Sequence, residues 1–149
     1  MLVIGLGKSG QAVVEFLCEK GALVTIYDDN KEKVKETKLL YNVDSITDYE
    51  MVAKMDLAIV SPGVSKYHEI VKQCLLQNVN VIGELEFASF FINGKILALT
   101  GSNGKTTTVS LIKHIFDTAK KKSVLAGNIG TPLIKFNSIV KRTYILEVS

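Results

Sequence analysis

Two glycine-rich segments contain the residues whose types and spacing could do chemistry. The first, residues 5–10, reads Gly-Leu-Gly-Lys-Ser-Gly and directly follows a short apolar run. Glycines permit a tight turn and a close approach of the backbone, and a helix that begins there offers unpaired N–H groups to a diphosphate. Asp28 and Asp29 follow the next apolar run, where a ribose-binding carboxylate usually lies. The pattern predicts a site for a nucleotide diphosphate, and NAD is one candidate ligand.

The second segment, residues 100–107, reads Thr-Gly-Ser-Asn-Gly-Lys-Thr-Thr. In such a loop Lys105 would reach the terminal phosphates of a nucleoside triphosphate, and the Thr106 hydroxyl would bind Mg²⁺. The general phosphate-loop pattern requires a glycine five positions before Gly104, and this sequence has Leu99 there. Because Gly-Lys-Thr still lies between a predicted strand and a predicted helix, we expect a second phosphate site.

Short apolar runs alternate with helical stretches along the chain and would position both loops. Strands are predicted at residues 1–4, 22–27, 56–61, 80–82, 96–100, 123–126 and 144–148, and helices at 9–20, 31–40, 67–77, 84–91 and 105–120. The strands are apolar almost throughout, which is typical of strands buried on both faces of a parallel sheet. In the last helix, Val109, Ile112, Ile115 and Phe116 predict a core-facing stripe. This order of elements predicts a doubly wound α/β architecture.

The composition of the 149 residues, 47% hydrophobic and 22% charged, is that of a soluble globular chain. It excludes collagen-like, low-complexity and disordered classes. The longest apolar runs are far shorter than the roughly 20 residues that span a bilayer. The first residues lack the basic segment of a signal peptide, and Cys18 and Cys74 are far apart. We therefore expect a cytoplasmic protein with reduced thiols.

A turn-like break at residues 92–94 separates two regions of opposite charge. Residues 1–94 carry nine lysines against 13 acidic residues, and residues 95–149 carry nine basic against two acidic residues. Either the two regions bind different ligands, or acidic partners of the second lie beyond residue 149. With three strands and an apolar run at its end, the second region is too small to fold alone, so we interpret the sequence as a fragment. Its basic residues are not interleaved with aromatics, and nucleic-acid binding is not expected.

The second loop resembles the ATP loop of the Mur ligase family, the ATP-dependent amino-acid ligases of peptidoglycan synthesis, in which Gly-Thr/Ser-Asn-Gly-Lys-Thr/Ser-Thr replaces the general pattern. Residues 127–132, Gly-Asn-Ile-Gly-Thr-Pro, and residues 147–149, Glu-Val-Ser, are similar to two further family motifs. Upstream, residues 5–10, 61–63 (Ser-Pro-Gly) and 83–86 (Gly-Glu-Leu-Glu) match best the branch that adds D-glutamate. The resemblance spans the whole chain.

The resemblance implies a Rossmann-like parallel-sheet domain at residues 1–93, which binds a UDP-linked substrate. The truncated start of a P-loop α/β ATP-binding domain would follow at residues 94–149. The implied ATP-binding residues are Gly101, Ser102, Asn103, Gly104, Lys105, Thr106 and Thr107. The implied substrate-binding residues are Gly7, Lys8, Ser9, Asp28, Gly63 and Asn128. Lys105 and Glu147 would be catalytic, and Thr106 and Glu147 would hold Mg²⁺.

The implied reaction is the addition of D-glutamate to UDP-N-acetylmuramoyl-L-alanine. ATP phosphorylates the alanine carboxylate to an acyl phosphate, and the amine of D-glutamate then displaces phosphate. The resemblance further implies a cytoplasmic protein that is a monomer when full length, with ATP and Mg²⁺ and with neither nucleic-acid nor membrane partners. The amino-acid-binding domain is absent from these residues, so we expect this sequence alone to be inactive. Residues 1–93 should keep weak affinity for UDP-containing ligands.

Several alternatives stay open at this point. An NAD-binding module would use the first loop but leaves the loop around Lys105 unexplained. An ATP-hydrolysing switch would need no Gly-x-Gly-x-x-Gly domain before it. Other members of the family also remain possible, since amino-acid specificity lies mostly in the third domain. The family often has a hydroxyl or basic residue where Asp29 stands, so the uridine contacts of Asp29 and Asn30 are undecided. His68 and His114 are interpreted as surface histidines.

Overall fold

A computed structural model describes residues 1–137 and 140–148 and shows an α/β protein with parallel sheets. The chain divides into two compact units, Met1–Phe87 and Ala88–Ser149. The α/β prediction is confirmed. The division falls inside a helix, a few residues before the predicted domain boundary at residues 93 and 94. Each unit is described separately below.

The first unit contains a five-stranded parallel sheet with the strand order β3-β2-β1-β4-β5. The strands are β1 Leu2–Ile4, β2 Thr25–Tyr27, β3 Asp44–Ser45, β4 Leu57–Val60 and β5 Asn80–Gly83. The helices are α1 Lys8–Glu19, α2 Lys31–Tyr41, α3 Glu69–Leu76 and α4 Glu84–Ser89, with a 3-10 helix at Tyr49–Lys54. The order reverses between β1 and β4, so a ligand crevice is expected outside the carboxyl ends of these two strands.

β1 is fully buried because it pairs with β2 on one side and β4 on the other, and helices pack against it. Leu2 and Ile4 belong to a buried cluster with Val52, Ala58, Ile70, Val71, Cys74 and Val79. The 3-10 helix and α3 supply much of this cluster, and α1 contacts α2. The central strand is therefore a rigid support for the loop that follows it.

Two short elements of this unit were not predicted. β3 has two residues, too few for a hydrophobic period, and its register is set by pairing with β2. The 3-10 helix begins after Asp48, whose side chain accepts a hydrogen bond from the Glu50 N–H. The first helix ends at Glu19, one residue before its predicted end, and Gly21 follows with a φ of +72°, the left-handed conformation in which many helices end. Within the described residues, no helix is both long and apolar enough to cross a bilayer.

The second unit contains a three-stranded parallel sheet with the order β6-β8-β7. Its strands are β6 Gly94–Leu99, β7 Ser123–Gly127 and β8 Arg142–Glu147, with α5 Lys105–Thr118 and a 3-10 helix at Leu133–Phe136. The middle strand is the most buried. On α5, Val109 is fully buried, as predicted, but Ile115 is 55% exposed. The prediction of a core-facing stripe is therefore wrong at Ile115. The face of α5 that packs on β7 and β8 is narrower than the part of the helix surface that its apolar residues occupy.

Glu84, at the start of α4, is a buried carboxyl group, and we predict that its ionisation opposes folding. The residue is 2% exposed, and Oε1 has no hydrogen-bond partner among the described residues. Burial raises its pKa from 4.5 to about 7. The folded chain therefore holds the proton longer than the unfolded chain, and stability should fall as the pH rises from 4.5 through 7.

The Glu84→Gln substitution removes the group that ionises. We therefore expect that the urea midpoint of the variant no longer shows the decrease that this carboxyl group causes as the pH rises. Glu86→Gln is the matched control, because Glu86 is exposed on the same helix and its replacement should leave the fall in place. Urea denaturation at several pH values measures both variants. An unchanged pH slope in Glu84→Gln would contradict the assignment.

Candidate functional site

The first glycine loop leaves β1 in a bend that only glycine fits. Gly5 has a φ of +89°, and a Cβ there would lie 2.6 Å from Val64 Cγ2. A Cβ on Gly10 would lie 1.8 Å from the Gly5 carbonyl oxygen. Gly7 differs, because its φ is −73° and no described atom lies within 4 Å of its Cβ position. Gly5 and Gly10 therefore shape the turn, and Gly7 leaves open space in front of it.

The side chains of Asp28 and Ser61 fix this loop to its neighbours by hydrogen bonds. The Leu6 N–H donates to Asp28 Oδ2 at 2.6 Å, and the Asn30 N–H donates to Asp28 Oδ1 at 2.8 Å. The buried Ser61 hydroxyl donates to the Gly5 carbonyl at 2.7 Å. The loops after β1, β2 and β4 are thus joined at one edge of the sheet. Asp28, which was predicted to lie near a uridine, has both carboxylate oxygens occupied by backbone N–H groups.

At this edge of the sheet, the backbone N–H groups at the start of α1 and several exposed residues face solvent. The first N–H groups of a helix have no partner within it, and in α1 they follow Gly7, which cannot supply a side-chain cap. Lys8 is exposed, and Ser9 is half-buried. Gly63, after β4, is exposed with open space at its Cβ position. The geometry can accept a diphosphate against the positive end of α1.

A cavity of about 360 Å³ opens beside the end of β2. It is lined by Ile26, Tyr27, Asp28, Asp29, Lys31, Val34 and Ile46. The apolar side chains come from β2, α2 and the residue after β3, and the charged ones follow β2. An apolar pocket with a few polar groups suits a nucleoside-sized group.

Asp29 is held at the rim of this cavity by two aromatic side chains. Its Oδ2 lies 3.0 Å from His68 Nε2, and the Tyr27 hydroxyl donates to Oδ1 at 3.1 Å. The hydrogen bond from His68 lowers the pKa of Asp29. Burial, followed by contacts with Tyr49 and Asp29, raises the pKa of Tyr27.

His68 lies at the surface with its side chain 26% exposed, and it pairs with Asp29, a contact that was not predicted from the sequence. His114 is exposed, as expected. The sequence did contain one signal for this pair. His68 immediately precedes α3 and Asp29 immediately precedes the Asn30 cap of α2, so both lie at the carboxyl edge of a parallel sheet.

The second glycine loop connects β6 to α5 through two unusual glycines. Gly101 has a φ of +149° and Gly104 a φ of +75°, so both need the freedom of glycine. Lys105 opens the helix, and its Nζ donates to the Gly101 carbonyl at 2.5 Å. The lysine thus folds back over the loop, and Ser102, Asn103 and the two threonines of residues 106–107 are exposed around it. The loop thus combines the N–H groups at the start of α5 with the Lys105 ammonium group.

The end of β8 brings a buried carboxylate to this loop. Thr106 Oγ1 donates to Glu147 Oε2 at 2.7 Å, and Glu147 is 6% exposed. The Asn128 N–H donates to the Glu147 carbonyl at 2.9 Å. A Cβ on Gly127 would lie 2.2 Å from the same carbonyl oxygen, so the turn after β7 must approach β8 closely. Ser149, the last residue of the predicted motif, lies outside the described residues.

Thr106 and Glu147 together fit a magnesium ion. A hydroxyl and a carboxylate are the oxygen ligands that Mg²⁺ prefers. The buried carboxylate of Glu147 keeps acceptor capacity after its hydrogen bond from Thr106, since a carboxylate accepts at about four positions. The donor set is therefore suitable for a hard cation beside a phosphate.

Two family profiles match this chain. Residues 1–83 match the profile "Mur ligase MurD-like, N-terminal domain", and residues 99–148 match "Mur ligase middle domain". The UDP-N-acetylmuramoylalanine--D-glutamate ligase of Koribacter versatilis is 39% identical, over 100% of this chain and 35% of that protein. The enzyme of that name from Pelotomaculum thermopropionicum is 43% identical, over 90% of this chain and 31% of that protein. The chain thus spans about a third of these relatives.

Solved structures with the same fold are more distant in sequence. The UDP-N-acetylmuramate:L-alanyl-gamma-D-glutamyl-meso-diaminopimelate ligase from Neisseria meningitides has a TM-score of 0.51 and 16% identity, covering 98% of this chain and 51% of that one. A pseudomurein peptide ligase type C from Methanothermus fervidus has a TM-score of 0.51 and 18% identity, covering 99% and 33%. These likenesses support the fold. Because the MurD-like profile alone covers more than half of the 149 residues, the chain belongs to the Mur ligase family.

Proposed function

We propose that this chain binds the UDP-linked substrate and the ATP phosphates of a ligase that adds D-glutamate to UDP-N-acetylmuramoyl-L-alanine. Enzymes of the Mur ligase family are ATP-dependent amide-bond ligases. The observation that carries the proposal is the phosphate loop in which Thr106 meets the buried Glu147 at 2.7 Å. An NAD-binding module has no use for such a loop, whereas a ligase that activates a carboxylate needs one.

In the first unit, the diphosphate of the substrate binds at the start of α1. Gly7 leaves room for it, and Lys8 and Ser9 supply N–H groups and their side chains. Gly63 borders the same crevice from the loop after β4. Asp28 serves this site through the Leu6 N–H, because its carboxylate holds the loop in its bent shape. The cavity beside β2 takes the nucleoside. Residues 1–93 are thus the proposed substrate domain.

In the second unit, the loop residues Gly101, Ser102, Asn103, Gly104, Lys105, Thr106 and Thr107 bind the ATP phosphates. Lys105 neutralises charge on the phosphoryl group that is transferred. Thr106 and Glu147 would hold Mg²⁺, which when bound supplies further positive charge beside the phosphates. Asn128, next to Glu147 at the sheet edge, contacts the substrate. Residues 94–149 are the proposed part of an ATP-binding domain.

The chemistry needs no protein nucleophile. A carboxylate oxygen of the alanine attacks the terminal phosphorus of ATP, ADP leaves, and an acyl phosphate results. The amine of D-glutamate then attacks the acyl carbon, loses a proton, and displaces phosphate. Lys105 and the loop N–H groups stabilise the charge on the transferring phosphoryl. The proposal includes a cytoplasmic protein that is a monomer at full length and has no nucleic-acid or membrane partner.

The experiment that tests this function is a binding titration of the 149-residue chain. We expect UDP-N-acetylmuramoyl-L-alanine to bind, and NADH to bind much more weakly, because the first loop is proposed to serve the UDP diphosphate. Calorimetry measures binding of the UDP ligand, and near-ultraviolet absorption together with fluorescence measures binding of NADH. Binding of NADH without binding of the UDP ligand would overturn the proposal and favour the nicotinamide-binding alternative.

The Glu147→Gln substitution is expected to raise the Mg²⁺ concentration for half-maximal activity at least about tenfold in a full-length ligase that includes these residues. A neutral amide is a poorer ligand for a hard cation, yet its oxygen can still accept the hydrogen bond from Thr106. Asp117→Asn is the control, because Asp117 is an exposed acid on α5 that pairs with Lys113. An unchanged magnesium requirement in steady-state assays would remove Glu147 from the metal site.

A further inference from the structure

The peptide unit that joins Glu147 to Val148 is held on both sides at the end of β8. Its carbonyl accepts a hydrogen bond from the Asn128 N–H at 2.9 Å, and its N–H donates to the Leu99 carbonyl at 2.9 Å. Asn128 directly follows β7, and Leu99 is the last residue of β6 before the phosphate loop. The two outer strands of this sheet thus grip one peptide unit of the middle strand. We call these two hydrogen bonds the Glu147 clamp.

The Glu147 clamp closes on the β7 side only because a glycine ends that strand. Gly127 lies opposite Glu147 in the register of β7 and β8 and has a φ of +99°. A Cβ there would lie 2.2 Å from the Glu147 carbonyl oxygen and 3.1 Å from the backbone nitrogen of the same residue. A side chain at this position would therefore push the turn away from β8 and break the hydrogen bond from the Asn128 N–H.

Glu147 is fixed at both ends of its side chain. The clamp sets the direction in which the Cα–Cβ bond leaves the strand, and the Thr106 hydroxyl, 2.7 Å from Oε2, sets the position of the carboxylate. The residue is 6% exposed, so little water competes for its oxygens. A carboxylate that is held in this way loses little conformational entropy when it binds a cation.

We propose that Gly127 is a positioning residue for the metal site, which acts by letting the Asn128 N–H close the Glu147 clamp. The backbone and the side chain of Asn128 then have separate roles, because the N–H fixes the Glu147 backbone while the exposed amide is left for the substrate. This inference rests on the proposed function, since it takes Glu147 to be a ligand of Mg²⁺. Loss of an interaction that orients a metal ligand typically lowers metal affinity about 10- to 100-fold.

The first test measures how strongly Mg²⁺ raises the affinity of the 149-residue chain for ATP. The chain is titrated calorimetrically with ATP in the presence of Mg²⁺ and in the presence of EDTA. The ratio of the two dissociation constants should fall about tenfold in Gly127→Ala, because a displaced carboxylate binds the cation less well. The affinity in EDTA should change by less than about twofold, since the loop around Lys105 keeps its own contacts.

Two matched variants isolate the clamp from strain in the sheet and from the Asn128 side chain. Gly94→Ala places a Cβ in overlap with the Arg142 carbonyl, so it strains the same strand β8 at the end opposite Glu147. Asn128→Ala removes the amide but keeps the backbone N–H. Both variants should retain the effect of Mg²⁺ on ATP affinity. A loss in either variant as large as that in Gly127→Ala would overturn the positioning role.

The second test needs no variant, because the coupling between two equilibria is reciprocal. If the clamp favours metal binding, then Mg²⁺ must favour the closed clamp. Hydrogen exchange followed by NMR should therefore be slower at the Asn128 and Val148 N–H groups with ATP and Mg²⁺ than with ATP and EDTA. The Arg142 N–H, which donates to the Asn93 carbonyl at the other end of β8, is the internal control and should not respond.

The outcomes separate this inference from the function on which it rests. If the unsubstituted chain does not bind ATP, or if Mg²⁺ does not raise its affinity, the proposed phosphate and metal sites and this inference are overturned together. If Mg²⁺ raises the affinity equally in the unsubstituted chain and in Gly127→Ala, the positioning role alone is overturned. If circular dichroism shows that Gly127→Ala is unfolded, hydrogen exchange in the unsubstituted chain decides, and equal exchange at Asn128 with and without Mg²⁺ overturns the positioning role.

Discussion

Replacing Lys105 with alanine in a full-length ligase that includes these 149 residues is expected to reduce ATP-dependent turnover at least about 1000-fold. Affinity for the UDP-linked substrate should change by less than about threefold. The lysine is the cation of the phosphate loop, and its Nζ is held over the loop by the Gly101 carbonyl. Removing it leaves the charge of the transferring phosphoryl without that neutralisation. The proposed UDP site lies in the first unit, Met1–Phe87, so it should be spared.

Lys113→Ala is the matched control for this prediction. Lys113 lies two turns further along α5 and pairs with the exposed Asp117, an i, i+4 surface pair of small energetic value. Its loss removes an equal charge from the same helix without touching the loop. Coupled ADP release measures turnover, and calorimetry measures substrate binding. A parallel loss of UDP-substrate binding in Lys105→Ala would contradict the assignment of the two loops to different ligands.

The order of the helices and of every strand except β3 could be predicted, because each of those strands is largely an apolar run. The loops at Gly5 and Gly101 could be placed for the same reason, since each follows such a run. Strand order and register depend on contacts between distant residues. β3 shows the limit, because its two residues form a strand only through pairing with β2.

Side-chain contacts at the site were harder to predict than the loops themselves. Asp28 was identified from its position after β2, but its hydrogen bond to the Leu6 N–H depends on how β1 and β2 align. The same holds for Asp29 and His68, which are 39 residues apart in sequence and meet only because β2 ends and α3 begins at the same edge of the sheet. A lone histidine carries too little information for such a pairing. Ile115 shows a different error, because it was predicted to face the core and is exposed. Helical spacing identifies the apolar side of a helix but does not give the width of the face that other elements cover.

The Gly10→Ala substitution is expected to destabilise the first unit by about 3 kcal/mol or more and to abolish binding of UDP ligands. The added Cβ would lie 1.8 Å from the Gly5 carbonyl oxygen. The carbonyl belongs to the backbone and the backbone fixes the position of the Cβ, so no side-chain rotation can relieve the contact, and the loop or α1 must move. The Ser61 hydroxyl, which donates to the same carbonyl and would lie 2.8 Å from the new Cβ, would lose its geometry as well.

Gly7→Ala is the control that isolates this close approach. Gly7 belongs to the same loop, has a φ that alanine adopts, and meets no described atom within 4 Å of its Cβ position. Its replacement should change the free energy of unfolding by no more than about 1 kcal/mol, because the weaker N-cap is offset by a less flexible unfolded chain. Urea denaturation followed by NMR signals of residues in Met1–Phe87 measures both variants. Equal stability of the two would show that the loop tolerates a side chain at Gly10, and the tight turn could then no longer account for the position of the N–H groups that face the diphosphate.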